Sequence, residues 1–488
     1  MTEVVDVYEG LEPAELWRHF ARLNAIPRPP GQEAAARSYV KEVAERARAT
    51  HRTDRRGNTV VYLPTRGGSS HARPISVQAH LDMVCEKRPG SDHDFDKDAI
   101  RPRREGDWIY ATDTTLGADN GIGVAACLSL MTEPNLQHGP LELLFTVEEE
   151  TGLHGASDLD PSLLEARTLI NLDSEDPNSL TVGCAGGASI YGRIALTREP
   201  VRGNVGRELR VSGLRGGHSG IQIHEKLANA IKLVARGLQT LQAAGIDFQL
   251  AAIEGGTAHN AIPRDAFAML AIASDDANDF DSVVGEFRNE LYAEWGDAEP
   301  GLRLVSVDAP LPKEAVRADQ RDALLRFLLE APHGVLQMSA HFPDTVQTSS
   351  NLANGRIDDS SVEVLVSVRS LVQSDLDELS LEIARLVESS GGSARVSDAY
   401  PGWEPDPASR ILHLAKQKYL EVNGRSAKVE VVHAGLECGV IASKVPGMDA
   451  ISFGPRIEGP HSPDERVYAP TVEPMWRLLT SLLEALAG

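Results

Sequence analysis

Three short, largely apolar runs, each followed at once by an acid or an imidazole, constrain this chain more than any other feature. Ile75 to Ala79 leads into His80 and Asp82, Leu141 to Val147 into Glu148-Glu149-Glu150, and Thr168 to Leu172 into Asp173. Runs of this length read as strands buried on both faces, the pattern of a parallel sheet between helices. Open α/β sheets carry their ligands outside the carboxyl ends of the strands, so all three runs deliver their polar residues to one edge. Alternate residues of an extended chain face the same way, which lets His80 and Asp82 point together off their strand. Asp119 stands at the mouth of a small-residue helix expected from about Gly121 to Met131, where it either caps the helix or adds one more carboxylate. The Gly-rich turn before that helix lacks the lysine of a phosphate loop. Taken singly, the acidic run is either a solvated surface stretch or a site that cations compensate. Taken together, His, Asp, Glu, Glu and Asp at one edge form the donor set of a pair of divalent cations.

At 488 residues the chain exceeds the size at which one core stops growing, so more than one domain is expected. A formal charge of -23 repels phosphate backbones and anionic lipid, which argues against nucleic acid or membrane partners. The N-terminal stretch shows no basic segment followed by an apolar one, and no apolar run reaches membrane-spanning length. Cys85, Cys127, Cys184 and Cys438 are scattered, form no CxxC pair, and fit reduced thiols in a cytoplasmic protein.

Along the chain, helices are expected over Glu12–Asn24 and Gln32–Arg48, and a strand over Asn58–Leu63. Ser91 to Asp107 is polar and carries no apolar period. After Val182-Gly-Cys-Ala-Gly-Gly the texture changes to two successive α+β rounds. The first has a helix over Glu225–Ala244 and strands over Phe248–Glu254 and Ala266–Ser274. The second has a strand at 302–308, a helix at 319–331, a strand at 362–369 and a helix at 374–388. From about Pro401 the α/β character returns, and a Pro/Gly-rich loop presents His461. The expected fold is therefore α/β. A catalytic domain with a mixed, mostly parallel sheet flanked by helices is formed by residues 1–186 and 401–488. An inserted α+β lid or dimerisation domain of two successive units spans 187–400.

The series His80-x-Asp82, Gly117-Ala-Asp119-Asn-Gly, Glu149-Glu150-x-Gly152, Asp173 and Gly459-Pro-His461-Ser resembles the dinuclear metallo-exopeptidases of the aminoacylase and carboxypeptidase clan. Within that clan several stretches are similar to the aminoacyl-histidine dipeptidases, also called cytosol non-specific or Xaa-His dipeptidases. These stretches are Ile26-Pro-Arg-Pro, Ala79-His-Leu-Asp-Met-Val, Thr115-Leu-Gly-Ala-Asp-Asn-Gly, Gly216-Gly-His-Ser-Gly and His433-Ala-Gly-Leu-Glu-Cys-Gly. The resemblance spans essentially the whole chain and implies a metal-dependent hydrolase of dipeptides with free termini, Xaa-His dipeptides included. It implies two divalent ions, Zn²⁺ with Mn²⁺ or Co²⁺ as alternatives. His80 and Asp173 would hold one, Glu150 and His461 the other, and Asp119 would bridge them. Glu149 would be the general base and Asp82 would fix the tautomer of His80. In the inserted domain, His218 matches the histidine that steadies an oxyanion. Arg369 matches the arginine that clamps a substrate carboxylate and Asn260 a substrate-contacting asparagine, while His433, in the second part of the catalytic domain, is a further substrate-binding candidate.

Several points stay open at this level. Glu148 lengthens the acidic run, so a one-residue slip would make it the base and Glu149 the ligand; Gly152 anchors the other register. His218 and His433 are either substrate contacts or satisfied structural histidines, and Arg369 is either a carboxylate clamp or a rim ion-pair partner. His154 reads as a surface residue, and Cys85 and Cys438 as buried small residues; no GxSxG elbow is present. An N-acyl amino acid hydrolase or carboxypeptidase would use the same centre, and a non-catalytic metal-dependent binding protein is the reading from another class. The expected partner is a short peptide, and a homodimer through the inserted domain is the expected assembly if the chain is not a monomer.

Overall fold

A computed structural model describes residues 7–69, 71–340, 342 and 344–488, with the side chain of residue 398 left out. The chain divides into two units. The first comprises Met1–Cys184, Trp403–Val431 and Leu436–Gly488, and the second Ala185–Gly402 and Val432–Gly435.

The first unit is built on an 8-stranded mixed sheet. Its centre is parallel: Ile75–His80 lies between Leu141–Thr146 and Thr168–Asn171, and Asp449–Ser452 runs parallel to the latter on its far side. Antiparallel strands Thr59–Leu63 and Ser179–Cys184 flank this centre. Every residue of Ile75–His80 and Leu141–Thr146 is buried, which is why both read as near-continuous runs. The register places His80 opposite Thr146 and Gln78 opposite Asn171. His80 and Asp173, each two residues further on, therefore stand level on the same face. Helix Ala14–Asn24 buries Leu16, Trp17, Phe20 and Leu23, one stripe at helical spacing. Helix Ala118–Thr132 is buried almost throughout, and small residues such as Gly121, Gly123, Ala125 and Ala126 let it lie close to its neighbours.

The polar stretch after Ser91 departs from expectation. It forms a hairpin, Pro102–Glu105 and Trp108–Ala111, that pairs through Trp108–Ala111 with Arg466–Tyr468 and so joins a 4-stranded sheet with Arg456–Glu458. Both Pro102–Glu105 and the turn after it are largely exposed, so no apolar period marks them. The chain between Arg456–Glu458 and Arg466–Tyr468 carries His461.

The second unit carries a 9-stranded sheet whose strands pair antiparallel among the described residues: Arg303–Ala309, Val205–Ser212, Ala266–Ile272, Phe248–Gly255, Val346–Ile357, Ser361–Ser370, Gly186–Ala195 and Gly392–Tyr400 in that order, with Gly334–Met338 paired to Val346–Ile357. Its two halves meet at a short junction, where Glu254 pairs with Arg356 and Gly255 with Gly355. The two α+β rounds thus share one continuous sheet. Helix Ala230–Ala243, capped by the Asn229 side chain, buries Ile231, Leu233, Val234, Leu238 and Leu241. Helix Gln373–Ser389 buries Leu376, Ile383 and Val387 in the same hydrophobic core. No helix among the described residues is long and apolar enough to cross a membrane.

Candidate metal centre

The carboxyl ends of the parallel strands gather the residues singled out from sequence in the first unit. His80 Nε2 lies 3.1 Å from Asp119 Oδ1 and 3.3 Å from Asp173 Oδ1. His461 Nε2 lies 3.2 Å from Asp119 Oδ2 and 3.2 Å from Glu150 Oε2. Asp119 therefore turns one oxygen to each of two groups. Among the described residues, ligand atoms converge within 4.8 Å in three sets: His80–Asp119–Asp173, Asp119–Glu150–His461, and His80–Glu149–Glu150. Asp119 (φ -80°, ψ 111°) and Asn120 (φ -105°, ψ 32°) leave helical geometry, so the regular helix begins at about Gly121, as expected, with Asp119 just ahead of it.

The acidic run divides by direction. Glu148 turns to Arg56, 2.7 Å away, whereas Glu149 and Glu150 converge with His80. Asp82, fully buried, accepts the backbone N–H groups of both Glu149 and Glu150 at 3.1 Å. Its Oδ1 stands 3.4 Å from His80 Nδ1, an ion-pair contact rather than a strong hydrogen bond. Asn120 donates to the carbonyl of Leu172 at 3.1 Å and to the Asp173 carboxylate.

So many acids in a closed space alter each other's affinity for protons. Burial raises the Glu149 carboxyl well above the ordinary range, and the Glu150 and Asp173 charges add to it against the pull of His80. Burial and the Asp119 charge raise Glu150, and burial raises Asp173. Burial opposes ionisation of Asp119 too, yet its bonds from His461 and His80 hold it well below the carboxylate range. Bonds to Asp119 and Glu150 push the His461 imidazole up to about 11. The field that draws a proton onto these imidazoles also draws a divalent cation. Glu150 Oε1 is buried with no hydrogen-bond partner, as a ligand oxygen awaiting a cation would be. The donor set of imidazole and carboxylate suits Zn²⁺, Mn²⁺ or Co²⁺.

Three buried side chains around this centre escaped the sequence reading. Glu437 receives the Gln78 side-chain amide at 2.5 Å and the Thr146 hydroxyl at 2.7 Å, and Asn171 donates to Gln78 Oε1 at 2.5 Å. Burial pushes the Glu437 carboxyl up to about 8. This polar layer lies one step below His80 and Asp173 on their own strands. Glu465 accepts four successive backbone N–H groups from Leu116 to Asp119. Arg28 donates to the carbonyls of Leu81, Asp82 and Gly117. Arg28 and Glu437 fall in stretches that carried the resemblance, Ile26-Pro-Arg-Pro and His433-Ala-Gly-Leu-Glu-Cys-Gly, which was the available signal. Cys438 is buried as expected, but Cys85 is only partly so.

Within the second unit the other four candidates form their own cluster. His218 Nδ1 accepts the N–H groups of Gly220 and Ile221, both at 3.1 Å, which leaves the proton on Nε2. The Asn260 carbonyl accepts the Ser219 N–H at 2.7 Å, beside His218. Arg369 lies opposite Ser349 in the sheet and donates to the Tyr400 hydroxyl at 2.7 Å. His433 Nε2 meets the Ser349 hydroxyl at 2.7 Å. Burial and the charge of Arg369 lower the His433 imidazole to about 3, so it is neutral. A Cβ placed on Gly220 would meet the His433 carbonyl, His218 Cε1 and Arg369 Nε, which shows how closely these groups surround that glycine.

Comparison with known proteins fits this geometry. The chain is 39% identical over 475 residues to the cytosol non-specific dipeptidase of Escherichia coli (strain K12), covering 97% of this chain and 98% of that protein. The crystal structure of aminoacylhistidine dipeptidase from Vibrio alginolyticus superposes with a TM-score of 0.89 at 35% identity, covering 99% of both chains. The aminopeptidase PepT from Bacillus cereus ATCC 10987, at 18% identity and a TM-score of 0.57, shares the fold. The profile described as peptidase family M20/M25/M40 matches residues 77–485. By that match, and by similarity along almost its whole length to a curated relative, the chain belongs to peptidase family M20/M25/M40.

Proposed function

We propose that this chain is a dinuclear-metal dipeptidase that hydrolyses dipeptides with free termini, Xaa-His dipeptides among them. The observation that carries the reading is the Asp119 carboxylate: its Oδ1 lies 3.1 Å from His80, which stands 3.3 Å from Asp173, and its Oδ2 lies 3.2 Å from His461, which stands 3.2 Å from Glu150. The names of the relatives, a cytosol non-specific dipeptidase and an aminoacylhistidine dipeptidase, support the substrate class. His80 and Asp173 would hold one cation, Glu150 and His461 the other, and Asp119 both; Zn²⁺ is the expected metal, with Mn²⁺ and Co²⁺ able to serve. Bound there, the pair would supply Lewis acidity toward the peptide carbonyl and lower the pKa of a water toward ~7.

Glu149 takes the proton from the attacking water and returns it to the leaving amine. Burial raises its carboxyl above the ordinary range, the direction that helps it hold the proton between taking it from water and passing it on. Asp82 keeps Glu149 and Glu150 in register through their backbone N–H groups and stands beside the His80 imidazole. In the second unit, His218 offers the N–H of Nε2 to the developing oxyanion. Arg369, its guanidinium steadied by Tyr400, binds the substrate carboxylate as a planar fork. Asn260 and His433 complete the recognition of the peptide. None of the four cysteines is in a disulfide, which suits a reducing, cytoplasmic setting for this activity.

A substrate panel on the metal-loaded protein tests the reading. Xaa-His and other free dipeptides should be cleaved, and a tripeptide, an N-acetyl dipeptide and an N-acetyl amino acid should not. Turnover of the N-acetyl amino acid in preference to dipeptides would move the protein to the acylamino acid hydrolases of the same clan.

A further inference from the structure

We propose that Glu465 and Arg28 form a clamp that presets Asp119 between the two ligand groups, which makes both of them positioning residues for cation binding. The inference rests on the metal reading above. The segment from Leu116 to Asp119 is gripped from both sides of its backbone. On the N–H side, Glu465 Oε2 accepts from Leu116 at 2.7 Å and Gly117 at 2.9 Å, and Oε1 from Ala118 at 2.7 Å and Asp119 at 3.2 Å. On the carbonyl side, Arg28 Nη2 donates to Gly117 at 2.5 Å. Its Nη1 donates to the carbonyls of Leu81 at 3.0 Å and Asp82 at 2.8 Å. Each side chain is 2% exposed.

The clamp joins segments that are remote in sequence and adjacent to ligands. Glu465 lies four residues beyond His461, so one carboxylate ties that histidine's loop to the backbone of Asp119. Arg28 ties the Leu116–Asp119 segment, through the Gly117 carbonyl, to Leu81 and Asp82 just past the end of the strand that carries His80. Gly117 lies between the two grips at φ 69°, and a Cβ there would run into Arg28 Nη2 and Met83 Sδ. Bonds from N–H to carboxylate are stronger than neutral ones, and four of them on one carboxylate fix the path of this segment. Their bearing on the chemistry comes from where they end: the last of the four N–H groups belongs to Asp119, whose side chain both ligand sets share. Loss of a group that orients a metal ligand typically costs ~10–100-fold in metal affinity.

Chelator-stripped proteins titrated with Zn²⁺ against a chromophoric competitor, with thermal melts alongside, test the clamp. The variants are Glu465→Gln, which presents an amide N–H₂ to N–H donors, and Arg28→Lys, which keeps the charge and loses the fork. Glu142→Gln is the control. Glu142 is another buried carboxylate that accepts two backbone N–H groups, from Glu165 at 2.8 Å and Ala166 at 3.1 Å, at the opposite end of the parallel strands from the ligands. We expect all three to melt earlier, but only Glu465→Gln to weaken Zn²⁺ binding by ~10–100-fold, with Arg28→Lys following in the same direction by less. Wild-type affinity in Glu465→Gln and Arg28→Lys, or an equal loss in Glu142→Gln, would overturn the clamp alone. If Glu465→Gln does not fold, Arg28→Lys against the control decides. A wild-type chain that takes up fewer than two Zn²⁺ overturns the metal reading and the clamp with it.

Discussion

Exchange of the three glutamates one at a time separates their duties. Glu149→Gln preserves volume and leaves two complete ligand sets, His80–Asp119–Asp173 and Asp119–Glu150–His461, so metal content should stay at the wild-type level. It removes a carboxylate that burial and the neighbouring Glu150 and Asp173 charges already disfavour, so the folded protein should lose little stability. What disappears is proton transfer, for which ~10²–10⁴-fold is the usual loss, or about 3–5 kcal/mol in the barrier. Glu150→Gln instead strips one member from the set that contains His461, and bound metal should fall with activity. Glu148→Gln breaks a partly exposed ion pair with Arg56, worth under about 1 kcal/mol, and should leave kcat unchanged. Loss of absorbance at the peptide bond of a free dipeptide gives kcat, and elemental analysis of the same samples gives metal. Normal kcat in Glu149→Gln, or a collapsed kcat with full metal in Glu148→Gln, would refute the assignment of roles along the run.

Other consequences can be read out separately. His19 is buried against the Tyr39 hydroxyl at 2.8 Å, and burial lowers its imidazole to about 4. The unfolded chain, with a histidine near 6.5, therefore binds more protons between those values. Its contribution is full above pH ~6.5 and lost as pH falls toward 4, on the order of 1–2 kcal/mol by pH 5. Urea unfolding of metal-free protein should show a smaller acid-induced loss in His19→Gln than in wild type; an identical loss would refute it. Arg369→Lys should raise KM for dipeptides more than it lowers kcat, and Tyr400→Phe should do the same more weakly, by the ~0.5–1.5 kcal/mol of one hydrogen bond. A kcat effect without a KM effect would remove Arg369 from substrate binding. Restoring metal to stripped protein should raise the melting temperature, by about 2.7 kcal/mol of stability per site at a free concentration of 100 Kd. An unchanged melt would deny that the carboxylate cluster is a cation site.

Much of the first unit was legible because its central strands are buried on both faces and because the converging acids and imidazole follow their ends. His80, Glu149, Glu150 and Asp173 each follow such a run, so the sequence order already implied a shared edge. Val346–Ile357 was illegible for the opposite reason. It is largely buried, yet Thr348, Ser349, Ser350 and Asn351 bond to Ser370, His433, the Pro332 carbonyl and the Ala261 carbonyl in turn. A strand whose inward positions are polar because they bond shows no apolar alternation. The Pro102–Glu105 hairpin was missed because it is mostly solvent-exposed, with little core to pattern it. Arg28 and Glu465 left no local trace of their function because their partners are backbone groups, which are the same in every sequence. Only the resemblance pointed to the residues of the second unit, since His218, Asn260, Arg369 and His433 meet across loops and strands far apart in the chain.

Metal binding and turnover measured in the same samples test the central claim most directly. Stripped protein would be titrated with Mn²⁺ while bound metal and hydrolysis of a free dipeptide are followed together. The geometry of Asp119 predicts saturation at two ions per chain, no hydrolysis without metal, and turnover that tracks occupancy. Saturation at one ion or none, or hydrolysis by the stripped chain, would contradict it.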